Sequence, residues 1–321
     1  CSALCYAELA AMIPVSGSAY TYGYATLGEI FAWIIGWDLI LEYMVAAILV
    51  STGWSAYVLS LLSHAAGFSL PPAVSASPWD KDPGVFNLPA ALIVLFITWL
   101  LARGIKESSR VNMAIVIVKV AVILFFIVIA VRHVNTANWR PFMRCGFGGV
   151  MAAAAVVFLA YVGFDAVSTA AEEARNPQRD LPIGIMASLI VATVLYISVA
   201  AIMTGVVPYS ELGVADPIAK VLNTLHLPWA SAIISVGAIA GITSVLLVLI
   251  MGQPRILFAM SRDGLLPPVL TRVHPRHKTP YIATWLTGGI VAVGAALTPI
   301  DISSELVSIG TLFAYVIVCA G

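Results

Sequence analysis

Apolar positions fall in long blocks separated by short polar connections, a pattern that predicts a series of membrane helices. A helix remnant covers residues 1 to 13 and ends near Pro14, and a Ser/Gly/Tyr-rich connection follows. A very long helix is predicted from about 28 to 62, then a proline-rich outer loop from 67 to 86. Further spans are predicted at 87 to 103, 111 to 132, 147 to 173, 182 to 206, 228 to 257, 281 to 298 and 303 to 320. At about 1.5 Å per residue the span from 28 to 62 would reach roughly 50 Å, against about 30 Å of hydrocarbon. It therefore tilts strongly or projects beyond the bilayer. Long spans recur at 28 to 62 and 228 to 257, five spans apart, as equivalent helices of an inverted repeat would.

Composition fixes the solvent. With 61% hydrophobic and 10% charged residues, and a mean hydropathy of +0.99, the fold class is an all-α polytopic membrane protein. A soluble chain would carry about a quarter charged residues. Formal net charge is zero and no basic low-complexity tail is present, so nothing suggests nucleic acid and none is expected as a partner. Lysine and arginine favour one side. Arg103, Lys106, Arg110, Arg175, Arg179, Arg255, Arg262, Arg272, Arg276 and Lys278 lie in loops on that side, against Lys81, Arg132, Arg140, Arg144 and Lys220 on the other. The richer side is read as cytoplasmic.

Candidate chemistry narrows to a few ionisable groups inside the spans, where such groups are costly. Lys119 lies about eight residues into its helix, roughly 12 Å deep, so that it either loads and releases a proton or stays charged against neighbouring carbonyls. Asp38 and Glu42 share one face of the long helix; both can receive a proton or a cation, or Asp38 sits near the interface with Trp33 and Trp37 and only Glu42 is deep. The stretch from Ala155 to Ile185 holds Gly163 and Asp165 at the middle of a span, which reads either as a binding element or as a kinked structural helix. Asp165 is expected to cap the helix after the break. The four cysteines and five histidines form no metal or disulfide pattern, and no cofactor is expected. GxxxxGK[ST], GxSxG and HExxH motifs are missing, which argues against ATP-driven transport and against an enzyme.

The segment FLAYVGFDAVSTAAEEARNPQRDLPIGI resembles the sixth helix and following loop of the amino acid-polyamine-organocation transporters, above all their cationic amino acid branch. GWDLILEYMVAA, ARGIKESSRVNM, VVPYSELGVADPIAKV and GQPRILFAMSRDGLLPPVL follow the same family in the same order. The resemblance implies a LeuT-like fold of two inverted five-helix repeats, here from the end of helix 2 to helix 10. It also implies a single transmembrane domain over 1–321 that is incomplete at both ends. By the same resemblance Leu159, Ala160, Tyr161 and Val162 form an unwound substrate-binding stretch with Gly163 after it, and Thr243 lines the side-chain pocket unless it bonds back to its own helix. Lys119 matches a lysine in the space sodium takes in sodium-coupled relatives, and with Glu42 is assigned to proton coupling. A leucine at 159 stands where the family often has an aromatic gate, so Phe158 is expected to serve instead.

The expectation is proton-coupled uptake of a cationic amino acid by alternating access in a bacterial inner membrane, with amino acid, protons and lipid as partners. A small neutral substrate, an exchanger, or an amino acid-sensing receptor are the alternatives. Asn176-Pro177 is expected to end one helix and Leu181-Pro182 to start the next.

Overall fold

A computed structural model describes residues 2–13, 19–67, 70–80, 83–104, 109–143, 145–161, 163, 167, 174, 176–214, 217–275, 277 and 279–320. The described residues are all-helical, as expected. In order they form α1 (Ser2–Met12), α2 (Ala19–Thr26), α3 (Glu29–Ala66), α4 (Pro72–Ser75), α5 (Leu88–Ala102) and α6 (Ser109–Ala130). There follow α7 (Gly146–Val157), α8 (Pro177–Val206), α9 (Pro217–Thr224), α10 (Pro228–Arg262), α11 (Tyr281–Leu297) and α12 (Ile300–Ala320).

Among the described residues, five segments are long and apolar enough to cross a membrane: Glu29–Ser63, Met113–His133, Pro177–Val206, Trp229–Arg262 and Ile302–Cys319. Burial separates them by position. The apolar window of α3 is 61% buried, that of α6 only 11%. Thus α3 is the central post, packed against α10, α12, α11 and α2, while α5 pairs with α11 and α1 with α8. The outer faces of α6 and α8 expose Ile117, Val128, Ile190 and Ile197, an apolar exterior that suits acyl chains rather than water. Trp33 and Trp37 pair edge-on at 6.2 Å on the exposed side of α3, as aromatic residues do at a membrane boundary.

Helices that are apolar all round gain little from a hydrophobic stripe, so small residues decide where they meet. Gly252 on α10 admits the Tyr43 ring of α3, and Gly288 on α11 admits Thr98 of α5. On the same principle Gly237 and Gly241, four apart on α10, receive Val122 and Lys119 of α6. Helix ends are closed by local partners. The Gly67 N–H, at φ 63°, donates to the Leu62 carbonyl beyond α3. Asn87 caps α5: its Oδ1 accepts from the Ala90 N–H at 3.2 Å and from Ser55 Oγ of α3 at 2.7 Å. Tyr20 of α2 donates to Asp263 Oδ2 beyond α10 at 2.8 Å. Burial first, and this bond second, push the Tyr20 phenol above the ordinary tyrosine range.

Several elements depart from the sequence reading, among them the short helix Pro72–Ser75 within the proline-rich loop and the end of α7 at Val157 within the span read as 147 to 173. The Ser/Gly/Tyr-rich connection contains a helix, Ala19–Thr26, because Tyr20 and Tyr22 are buried against neighbouring helices and tertiary packing outweighs their weak propensity. Between α8 and α10, Pro217–Thr224 is helical, with Ala219, Val221 and Leu222 buried on one side. Asn176 precedes a helix rather than ending one: α8 starts at Pro177, where a missing N–H costs nothing, and carries Pro182 inside it.

Asn87→Ala removes both the cap of α5 and a buried partner of Ser55. A loss of about 1–2 kcal/mol is expected, read as a lower thermal unfolding midpoint in detergent, with Asn87→Asp retaining most of the stability.

Candidate functional site

The apolar helix α7 is built of small residues, GFGGVMAAAAVV, and ends at Val157. The backbone then tightens into a 3-10 turn over Phe158–Tyr161. Gly163 follows at φ +105°, a conformation that side-chain-bearing residues rarely adopt. A span that changes helix type and then turns leaves carbonyls without their intrahelical donors, and these must find partners elsewhere. One does: the Ala160 carbonyl accepts from Tyr196 Oη of α8 at 2.8 Å. The turn is held at both ends by rings. Tyr161 meets Tyr196 edge-on at 5.4 Å, and Phe158 meets Tyr315 of α12 at 5.6 Å. Tyr315 in turn contacts Tyr6 of α1 at 5.4 Å, and Tyr6 contacts Tyr22 of α2 at 6.1 Å. Phe158 is thus half-buried in an aromatic row. Val162 and Asp165 lie outside the described residues, and of Leu159 only the backbone is described.

Lys119 borders a cavity of about 370 Å³. Val50 and Tyr57 of α3, Phe126 of α6, Val199 of α8 and Ile234 and Ile242 of α10 are among its walls, and Lys119 is the one side chain of Lys, Arg, Asp or Glu type among the described lining residues. The lysine stem lies along Gly241, where a Cβ would stand 2.8 Å from Lys119 Cδ. Thr243 is one residue beyond the lining residue Ile242. Its hydroxyl donates to the Ile239 carbonyl at 2.7 Å and accepts from Trp54 Nε1 of α3 at 2.9 Å. The back-bond allowed for in the sequence is therefore formed, and the same hydroxyl ties α10 to α3.

The carboxylates of α3 face another neighbour. Glu42 is 2% exposed and its Oε1 accepts from Thr311 Oγ1 of α12 at 2.8 Å. Asp38, one turn earlier and half-buried, lies beside Gly310, whose added Cβ would be 3.5 Å from Asp38 Oδ1. Asp38 Oδ2 has no hydrogen-bond partner among the described residues. Along α3, Glu42 and the cavity residue Gly53 are separated by about 16 Å at 1.5 Å per residue. Lys119 packs on α10 and Glu42 on α12, so the two groups paired by the sequence reading occupy different seams.

Tyr196, Thr311, Tyr315 and Trp54 were not singled out from sequence. Their signal is faint but physical. A phenol, hydroxyl or indole N–H in the middle of an apolar span requires a partner, and each of these lies near a position already suspected.

Residues 1–321 match the amino acid permease family, and the chain belongs to it. It is 54% identical over 320 residues to the branched-chain amino acid permease BcaP of Bacillus subtilis (strain 168), covering 99% of this chain and 69% of that protein. It is 50% identical over 319 residues to the methylthioribose transporter of the same organism, covering 99% and 68%. With the vacuolar cationic amino acid transporter 4 of Arabidopsis thaliana it shares 38% over 321 residues, covering 98% and 53%.

Gly241→Val forces the Lys119 stem from its seat without altering any charge. Uptake should fall at least several-fold while the protein remains folded, as checked by transport into liposomes beside a size-exclusion profile; Gly241→Ala, with one carbon to accommodate, should lie between.

Proposed function

We propose that this protein is a secondary active transporter that carries a neutral, aliphatic amino acid across a bacterial cell membrane by alternating access, coupled to protons. The observation that carries the reading is the helix broken over Phe158–Tyr161 and Gly163, because only such a break offers backbone groups to an amino acid at membrane depth. On this reading the carbonyls of Leu159, Ala160, Tyr161 and Val162 receive the substrate ammonium, and the fold around them is a single transmembrane domain of two inverted five-helix repeats. Phe158 serves as the gate; Thr243, whose hydroxyl is taken up by the Ile239 carbonyl and the Trp54 indole, keeps only an indirect part beside the side-chain pocket.

The neutral substrate has two supports. The walls beside Lys119 are apolar, and a cationic side chain entering there would meet an ammonium with no carboxylate among the described lining residues. The relatives at 54% and 50% identity are named for branched-chain amino acids and for methylthioribose, whereas the cationic relative stands at 38%. A cationic substrate remains the second reading. The half-buried Asp38, with an oxygen that has no partner among the described residues, is the observation that favours it.

For coupling, Lys119 is assigned as the proton site because its ammonium borders an apolar cavity, and Glu42 as a second site because it is buried against Thr311. Both groups can gain or lose a proton without a metal ion.

The test is uptake of labelled leucine and arginine by the full-length protein in liposomes, with and without an inward proton gradient, for wild type and Lys119→Ala. Leucine uptake should exceed arginine uptake at least tenfold and rise with the gradient, and Lys119→Ala should abolish the rise. Preferential arginine uptake would replace the neutral reading with the cationic one, and gradient-independent uptake would leave an exchanger or uniporter.

A further inference from the structure

The Tyr196 hydroxyl does something that the proposed binding turn does not require: it donates, at 2.8 Å, to the Ala160 carbonyl. On the proposed reading, that carbonyl is one of those offered to the substrate ammonium. Tyr196 stands on α8, one turn before Val199, so both lie on the side of α8 towards the turn and the cavity. Its ring is held edge-on by Tyr161 at 5.4 Å, which fixes the phenol against the turn rather than against its own helix. A phenol is a neutral donor, and an ammonium makes a charge-assisted bond that is stronger.

We propose that Tyr196 is a stand-in for the substrate ammonium: its hydroxyl satisfies the Ala160 carbonyl in the empty transporter and is displaced when an amino acid binds. This rests on the proposed binding role of the turn and adds a positioning residue to it, on a helix that carries none of the other assigned substrate contacts. The hydrogen bond lets an open turn persist in an apolar setting, where a bare carbonyl is costly. A molecule with the apolar body of the substrate but no ammonium does not compete for the Ala160 carbonyl, so the phenol neither helps nor hinders it.

Tyr196→Phe removes one oxygen and keeps the ring on Tyr161. Measured with whichever amino acid the wild-type protein takes up from the full set of twenty, KM should fall about threefold to tenfold, with Vmax changed less than about twofold. Inhibition by the 2-oxo acid of the same side chain should be unaltered, because that compound has no ammonium to compete for the carbonyl. A KM that is unchanged or raised, or an equal shift for the 2-oxo acid, would overturn the proposal while leaving the transport reading in place. Uptake of none of the twenty would sink the transport reading and the Tyr196 proposal together. An unfolding midpoint within a few degrees of wild type excludes a general loss of packing as the cause.

Discussion

Backbone hydrogen bonding in a medium without water governs this structure. Most helical amides and carbonyls are satisfied within their own helix, the turns around Pro182 of α8 and Pro254 of α10 excepted, so the interior of the bundle is free to be almost wholly apolar, and helices meet through small residues rather than through stripes. The turn after α7 departs from that rule. Its carbonyls are bound to be met by something else, and the protein supplies a phenol from α8 for one of them. Everything assembled around the turn, from the aromatic row on one side to Tyr196 on the other, follows from the need to hold an irregular backbone where water is scarce.

Two ring contacts pin this turn to two different helices. Phe158 leans on α12 and Tyr161 on α8, so a relative displacement of those helices cannot leave the turn unchanged. The polar groups elsewhere are distributed along α3 and α10 instead of being gathered. Trp54 and Thr243 join the pair near the cavity; Gln253 donates to the Ile40 carbonyl at 3.2 Å nearer the carboxylates. Such cross-links make α3 and α10 one rigid piece against which other helices are positioned.

Much of the architecture was legible because apolar length is a strong signal: the spans at 28 to 62, 87 to 103, 111 to 132 and 281 to 298 agree with helices to within a few residues. The broken helix was legible too, from Gly163 within an otherwise apolar run. What sequence could not supply was neighbourhood. Glu42 and Lys119 both read as deep ionisable groups, yet which helix each would face depends on Gly241 and Thr311, small residues remote in sequence. The helix at Ala19–Thr26 was hidden for a related reason, since its tyrosines look like loop residues until their burial is seen. For Tyr196 the partner, the Ala160 carbonyl, lies 36 residues away and has no signature in the sequence.

The bond between Thr311 and Glu42 has a bearing on how α12 is able to move. Successive residues of an α-helix are about 100° apart around the axis, so rolling α12 by one position would swing the Thr311 hydroxyl away and bring Gly310 or Leu312 over Glu42 Oε1. Neither has a side-chain donor, and a carboxylate 2% exposed would lose the hydroxyl that meets it. Tilting about that contact preserves it. The helix is consequently hinged rather than free to spin, and its Tyr315 keeps one fixed bearing toward Phe158.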